Sequence, residues 1–349
     1  GNPSYMFDGT RRPGPNKDAN SIIAIDLNQK KKIWSFQETS HDLWNLDLAS
    51  PPILTSMKKN EKIIDIVVAP TKSGNTIILD RLSGRPIYPY LLKKAPTSMV
   101  PGEKTSKYQP YLQIPEPFEN IFFKNEDIRN EFKKDFLSND YEFGWYKTPK
   151  FDKKHLRGGI VGGAQWPGAS IDHKDNIMYV TSNNIVWESK INIVSKAKNR
   201  APVYESSHKR LLENNLYPIN LPPWGTLNAL NLNNGKLLWK VPLGNYESFK
   251  TENKEFTGTE NFGGTTATRG GITITTGTLD KKIYFHDSKN GNLLKSILLP
   301  YIGSAPPSTY SINGEQFIIV HATGGWTLEG GYGDLVQTGD SIVGLKIKK

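Results

Sequence analysis

One spacing recurs four times along the chain and limits what it can fold into. The apolar run ending at Asp26 leads eight residues on to Trp34, and the run ending at Asp80 leads to Tyr88. The run ending at Asn231 leads to Trp239, and the run ending at Asp287 leads to Lys295. Gly84, Gly235 and Gly291 fall inside the last three intervals. Each unit reads as a strand, an acid or amide turn, a glycine that permits positive φ, and a return strand, which is a β-hairpin. The ring at the end of each unit is expected to pack on a neighbouring unit. Asp26 and Asp80 lie 54 residues apart, and Asn231 and Asp287 lie 56 apart. Four-stranded propeller blades repeat every ~40–50 residues, more with long loops. The expected fold is therefore all-β, a β-propeller of four-stranded antiparallel blades.

The 151 residues from Asp80 to Asn231 are too many for two such units without insertions. Residues 91–158 are rich in lysine, proline and aromatics without a period, and residues 186–222 are polar and weakly patterned. Both are expected to be irregular inserted loops. Between them, 170–172 and 176–180 read as a further hairpin. Residues 341–347 form a last strand, expected to complete a blade begun near the N-terminus and so to close the ring. The sum is about five blades, forming a single partial propeller over 1–349. A partial ring leaves blade faces and strand edges open to association. A second chain or an oligomer is expected to cover them. The chain starts inside a loop without Met, which suggests a processed or truncated product.

Composition narrows the chemistry. With no cysteine, disulfides, zinc-thiolate sites and thiol nucleophiles are excluded. The net charge of +10 comes mostly from lysines scattered through loops. No nucleic-acid motif accompanies them, so no nucleic-acid partner is expected. They read as a solvated surface, with attraction to anionic lipid or an acidic electron acceptor as the alternative. No run reaches the length of a membrane span, and no signal peptide is visible. No nucleophile-elbow, Walker or dinucleotide fingerprint is present, and Gly324-Gly325-Trp326 does not precede a helix as a phosphate cradle would.

The residues that suggest chemistry lie in His41-Asp42-Leu43-Trp44-Asn45-Leu46-Asp47 and, one apolar run later, Ala69-Pro70-Thr71-Lys72-Ser73-Gly74-Asn75. A turn carboxylate or amide can hold a divalent cation, and a nearby lysine can polarise a carbonyl. Residues 63–69 read as the buried strand between them, so both segments can meet at one end of a sheet. In an extended segment Asn45 and Asp47 would share a face.

These segments resemble the active site of the pyrroloquinoline-quinone (PQQ) dehydrogenases, an eight-bladed family in which His-Asp-x-Trp-Asp precedes a strand and then a lysine or arginine. The resemblance covers nearly the whole chain, maps to the family's C-terminal half or more, and implies that N-terminal blades are absent. Residues 100–110 and 257–264 favour the glucose-dehydrogenase-like branch. By this resemblance Lys72 hydrogen-bonds the reactive quinone carbonyl. Asn2, within Gly1-Asn2-Pro3, would be a Ca²⁺ ligand. Asn45 stands where the family has its catalytic aspartate, which touches the metal and takes the substrate's hydroxyl proton.

An amide keeps the metal contact but cannot take a proton. Three readings stay open: a weak or inactive dehydrogenase, substitution by Asp47 or Asp42, or an asparagine introduced into this particular chain. Asp42 also suits a structural role, and His41 reads as part of the turn. Gln165, just before Trp166, resembles the family's cofactor-facing amide, and Trp166 reads mainly as packing. Phe262 stands where alcohol-oxidising members place a tryptophan against PQQ, with Asn261 and the backbone at Gly263 as contacts for the cofactor's carboxylates.

The resemblance thus implies a PQQ- and Ca²⁺-dependent oxidation of a sugar or alcohol by hydride transfer. Electrons would pass to ubiquinone or a cytochrome, in the periplasm, with another chain or fragment supplying the missing blades. The alternative is a catalytically impaired quinoprotein-like propeller that serves as a binding scaffold.

Overall fold

The computed structural model describes all residues except 5, 139–140, 152, 196–202, 250–255, 326–336 and 347–349. Among the described residues its regular structure is nearly all strand, with one α-helix, Asn130–Ser138. Five antiparallel sheets follow one another as blades. The first pairs Ser21–Asp26 with Lys31–Gln37. The second holds Ile53–Lys59, Lys62–Pro70 and Thr76–Asp80. The third runs in order Ala169–Asp172, Ile177–Asn183, Gly225–Asn231, Lys236–Pro242. The fourth runs Thr265–Ala267, Ile272–Thr275, Lys282–Asp287, Leu293–Leu298. The fifth holds Ser308–Ile312, Glu315–Ala322 and Ser341–Lys346.

Apolar residues on facing sheets make each seam. Ile22 meets Val67 and Leu79 between the first two blades. Ile66 and Val68 meet Met178 and Leu230 between the second and third. Leu227 meets Tyr284 at the next seam, and Ile283 meets Val320 at the last. The turn acids and amides act as the sequence suggests, since each Oδ1 accepts from the backbone two residues on. Asp26 takes Asn28 N–H, Asp80 takes Leu82 N–H, Asn231 takes Asn233 N–H and Asp287 takes Lys289 N–H, at 2.7–3.1 Å.

The rings ending the units dock on the next blade as expected, and always at the residue after its turn acid or amide. Trp34 Nε1–H donates to Arg81 O at 3.2 Å, Tyr88 O–H to Leu232 O at 2.7 Å, and Trp239 Nε1–H to Ser288 O at 3.1 Å. Gly84 and Gly291 lie beneath Trp34 and Trp239, where a Cβ would come within 2.5 and 2.7 Å of the indoles. Their φ values are +68° and +75°. Glycine is therefore required twice over, by conformation and by space. At the fourth seam the ring is replaced by Lys295. A largely apolar cavity of about 630 Å³ opens there, lined by Ile274, Phe285, Ile297, Ile318 and Leu345.

Two expectations need correction. The last strand does not close the ring by joining the N-terminal hairpin. It pairs with its own sheet, Val343 opposite Val320, because its partner is near in sequence and closing a short loop costs less. Residues 91–158 and 186–222 are not structureless loops: they supply a further four-stranded sheet outside the five blades. Its strands are Tyr141–Glu142, Lys154–Arg157, Trp187–Ser195 and Val203–Arg210. Trp187 and Tyr204 from this sheet share an apolar cluster with Phe7, Trp224 and Tyr246. Trp326 and Ile347, named in the sequence reading, lie outside the described residues.

Candidate active site

The turn carrying Lys72 joins the second and third strands of the second blade. Thr71 N–H and Asn75 O close it at 2.9 Å, and Gly74 supplies the left-handed residue with φ +82°. Neighbouring loops clamp the turn. Ala164 N–H donates to Thr71 O at 3.0 Å, and a Cβ on Gly163 would stand 2.3 Å from Lys72 O. On the other flank Phe118 N–H donates to Gly74 O at 2.9 Å. The direction of the Lys72 side chain is therefore set by backbone contacts on two sides.

The His41–Asp47 segment is built around Asp42. Its carboxylate accepts from Trp44 N–H and Leu46 N–H, both at 2.7 Å, and from Asn20 Nδ2 at 2.9 Å. Burial raises its pKa against these bonds. Committed in this way, Asp42 is a framework group and not a replacement for the residue at 45. His41 lies between Gly14 O (2.6 Å) and Glu103 Oε1 (2.5 Å), tying the turn to two loops.

Asn45 has φ +61°, a left-handed conformation that asparagine and aspartate tolerate. The segment is thus not extended there, and alternation is not what brings Asn45 and Asp47 together. Asn2 does so: its Nδ2 donates to Asn45 Oδ1 at 2.9 Å and its backbone N–H to Asp47 Oδ1 at 2.6 Å. Asp47 Oδ2 in turn accepts from Lys72 Nζ at 3.1 Å. Asn45, Asn2, Asp47 and Lys72 thus form one continuous polar chain. The ion pair is almost dry, Lys72 being 3% and Asp47 7% exposed. Burial lowers the Lys72 pKa, while Asp47 opposes the shift.

The other predicted residues lie further round the same ring of loops. Gln165 is buried beside the Lys72 turn, its Nε2 on Gly162 O at 3.4 Å. Gly163 pairs with Asn183, and Asn183 exchanges two hydrogen bonds with the Asn261 backbone, at 2.8 and 2.9 Å. The Asn261 Nδ2 donors reach Ser182 O and Asn183 Oδ1, both at 3.1 Å. Its Oδ1 is buried with no partner among the described residues. Asn261 can thus accept a hydrogen bond from a ligand, but has no spare donor for a carboxylate. Phe262 is buried. Gly263 is required by packing, a Cβ there lying 2.2 Å from Thr276 Oγ1. Trp166 was expected to pack, yet it is 51% exposed.

Sequence reasoning missed two buried cations. Arg157 donates to Ser189 Oγ at 2.6 Å and Leu43 O at 3.1 Å, and stacks over Phe7 at 5.0 Å. Burial lowers its pKa to about 9, with Asp42 opposing. Arg210 makes a two-point bond to Glu260, at 2.9 and 2.8 Å, and covers the Trp187 ring at 4.5 Å. It ties the inserted sheet to the loop of Asn261 and Phe262. The only hint in the sequence was an arginine following an apolar residue or a run of polar ones, which is too common to use.

The donor set suits the groups that the resemblance implies. Two amides and a carboxylate offer hard oxygens, which fit Ca²⁺ better than a soft metal. Lys72 gives one of its three N–H donors to Asp47, leaving two for a carbonyl.

Comparison with known proteins identifies the family. Residues 1–318 match the family described as PQQ glucose/ethanol/alcohol dehydrogenase, β-propeller domain. The glycerol dehydrogenase large subunit of Gluconobacter oxydans is 26% identical, over 92% of this chain and 49% of its own length. The quinoprotein glucose dehydrogenase of Escherichia coli is 26% identical, over 97% of this chain and 45% of its own. The chain therefore spans about half the length of the curated relatives it matches. Among solved structures, the quinohemoprotein alcohol dehydrogenase of Comamonas testosteroni superposes with a TM-score of 0.60 at 19% identity. That superposition covers 92% of this chain and 41% of that one, and shows the shared fold.

Proposed function

Since the chain belongs to the PQQ-dependent glucose/ethanol/alcohol dehydrogenase β-propeller family, we propose that it contributes an active site oxidising a sugar or alcohol with PQQ and Ca²⁺. Bound PQQ would supply the hydride acceptor. The observation that carries the reading is the polar chain Asn45–Asn2–Asp47–Lys72, half-buried at its two amides and buried at its ion pair, a cation beside a cluster of hard oxygens. Lys72 would donate to the cofactor carbonyl and stabilise charge growing on that oxygen, where the absence of water strengthens the interaction. Asn2 and Asn45 would hold the metal. Gln165, Trp166, Asn261, Phe262 and Gly263 would border the cofactor, Asn261 through its unpartnered oxygen.

The substrate's hydroxyl proton needs an acceptor, and the Asn45 amide is not one. Asp47 is the carboxylate in the polar chain, and its two present bonds leave lone pairs free. We assign the proton to Asp47. We further propose ubiquinone or a cytochrome as electron acceptor, a periplasmic location, and a further chain or segment that completes the propeller.

The amide at 45 also supports the second reading, a propeller that binds PQQ without turnover or serves as a scaffold. Reconstitution with PQQ and Ca²⁺, followed by dye reduction with a panel of sugars and alcohols, separates the readings. Turnover lost in Asp47→Asn supports the enzyme. PQQ binding without turnover, restored by Asn45→Asp, means a disabled enzyme. No PQQ binding with the remaining blades supplied leaves the scaffold.

A further inference from the structure

The second strand of the first blade, Lys31–Gln37, is followed directly by Glu38, which lies against the Lys72 turn. The Glu38 carboxyl is buried, and Ser73, the residue after Lys72, donates its hydroxyl to Glu38 Oε1 at 2.6 Å. The same Ser73 oxygen receives Asn75 Nδ2 at 2.9 Å and lies 2.7 Å from Thr71 Oγ1. One carboxylate oxygen thus gathers the side chains of three of the five residues in the Lys72 turn. The other, Oε2, is buried with no partner among the described residues. We propose that Glu38 is a positioning residue for Lys72, acting through the hydroxyl of Ser73.

The physical case rests on bond strength and on the clamp. A hydroxyl bound to a carboxylate is held roughly twice as strongly as one bound to a neutral group. The Lys72 carbonyl is packed closely against Gly163, where a Cβ would stand 2.3 Å away, so on this proposal a change at Ser73 is passed to the lysine side chain. The groups facing Glu38 are few. Asp42 lies on the His41–Asp47 segment, and its charge disfavours ionised Glu38. Tyr90, on the chain following the second blade, donates to Glu38 O at 2.9 Å. Tyr146, on the inserted segment, stands 3.4 Å from Thr39 Oγ1. Among the described residues no cation pairs with Glu38. Burial accordingly pushes the Glu38 carboxyl up to about 7. Its charge, and its hold on Ser73, change over the neutral range: firm above about pH 7 and weak below.

For its consequence in cofactor binding, the proposal rests on the reading of Lys72 as the PQQ contact. The coupling itself does not. The first measurement therefore uses the cofactor-free chain, following the Lys72 ¹⁵Nζ and Ser73 amide resonances from pH 5.5 to 8.5. Both should move with a midpoint near 7 in the native chain and stay flat in Glu38→Gln. The second measures PQQ affinity in the presence of Ca²⁺. Native affinity should weaken about fivefold from pH 8 to pH 6, the difference between a charged and a neutral hydrogen bond. Glu38→Gln and Ser73→Ala should show the weaker value at both pH values.

A neutral-range transition of Lys72 that persists in Glu38→Gln overturns the proposal. So does a Ser73→Ala protein whose affinity and pH dependence match the native chain. If the native chain binds no PQQ even with the remaining blades supplied, the functional reading fails, and the cofactor-free titration alone decides the coupling.

Discussion

At the seam between the third and fourth blades, Trp239 lies over Gly291 and gives its N–H to Ser288 O. At the hub, Lys72 and Asp47 pair at 3.1 Å with almost no water around them, and Glu38 keeps a carboxylate oxygen with no partner among the described residues. At this seam the docking ring has its one polar group satisfied and adds apolar area, so both contributions favour folding. The hub holds charges in a medium that disfavours them, and its order depends on partners arriving from distant stretches of chain. Stability is thus expected to come from the rim, and sensitivity to single charges from the hub.

The largest test is at the hub. Arg210 and Glu260 are both at most 2% exposed on their side chains. Arg210→Met leaves a buried carboxylate alone and should cost about 4 kcal/mol in urea unfolding. Arg210→Met combined with Glu260→Leu should recover most of that loss, because the penalty belongs to the orphaned charge. If the double variant is as unstable as the single one, the hub is held by the pair itself and the contrast with the rim fails.

Next is the pH dependence due to Glu38. Its pKa rises from 4.5 to about 7 in the fold, a difference of 7 − 4.5 = 2.5. The fold therefore favours the protonated acid, and its contribution is fully present below pH 4.5. As pH rises from 4.5 to 7 that contribution is lost, amounting to about 3 kcal/mol. Asp42 is shifted the same way, so the measurement is the difference between the native chain and Glu38→Gln across pH 4.5–8. A flat difference would mean that the hub tolerates the Glu38 charge as readily as solvent does. The ionised carboxylate that weakens the fold is the one that holds Ser73 firmly.

The rim was legible in the sequence for the reason it is stable. A hairpin's acid, glycine and docking ring stand at spacings fixed by the backbone, so Asp80, Gly84 and Tyr88 announce themselves within nine residues. Lys72 and Asn45 were legible because they lie in two long segments joined by one strand. The hub's other members pair across far larger distances. Arg157 reaches Leu43 over 114 residues and Arg210 reaches Glu260 over 50. No period marks such partners, and Glu38 reads as an ordinary strand-end acid until Ser73 is folded onto it. Asn261 shows the limit from the other side. Its type and neighbours suggested a donor to a ligand, but Ser182 O and Asn183 Oδ1, 79 and 78 residues earlier, already occupy the donors.

A rim residue gives a smaller effect than either hub charge. Trp239 is half-buried, and Trp239→Ala should cost about 2 kcal/mol, below the 3–5 of a fully buried ring. The loss should be independent of pH between 5 and 8, unlike that at Glu38. A pH-dependent loss at Trp239 would show that the seams and the hub are not separable.

The smallest effect tests the rim where it departs from its own rule. At the fourth seam Lys295 occupies the docking position, and about 630 Å³ stands open between Phe285 and Leu345. Lys295→Trp would bury an indole against that ring and that aliphatic chain, and should stabilise the chain by about 1 kcal/mol. The gain is set below that of a full aromatic burial because the aliphatic packing of the lysine stem is given up. If instead stability falls, the lysine already makes a contribution that the apolar lining does not account for. The fourth seam would then belong with the hub, as a place where charge and not packing decides how the blades meet.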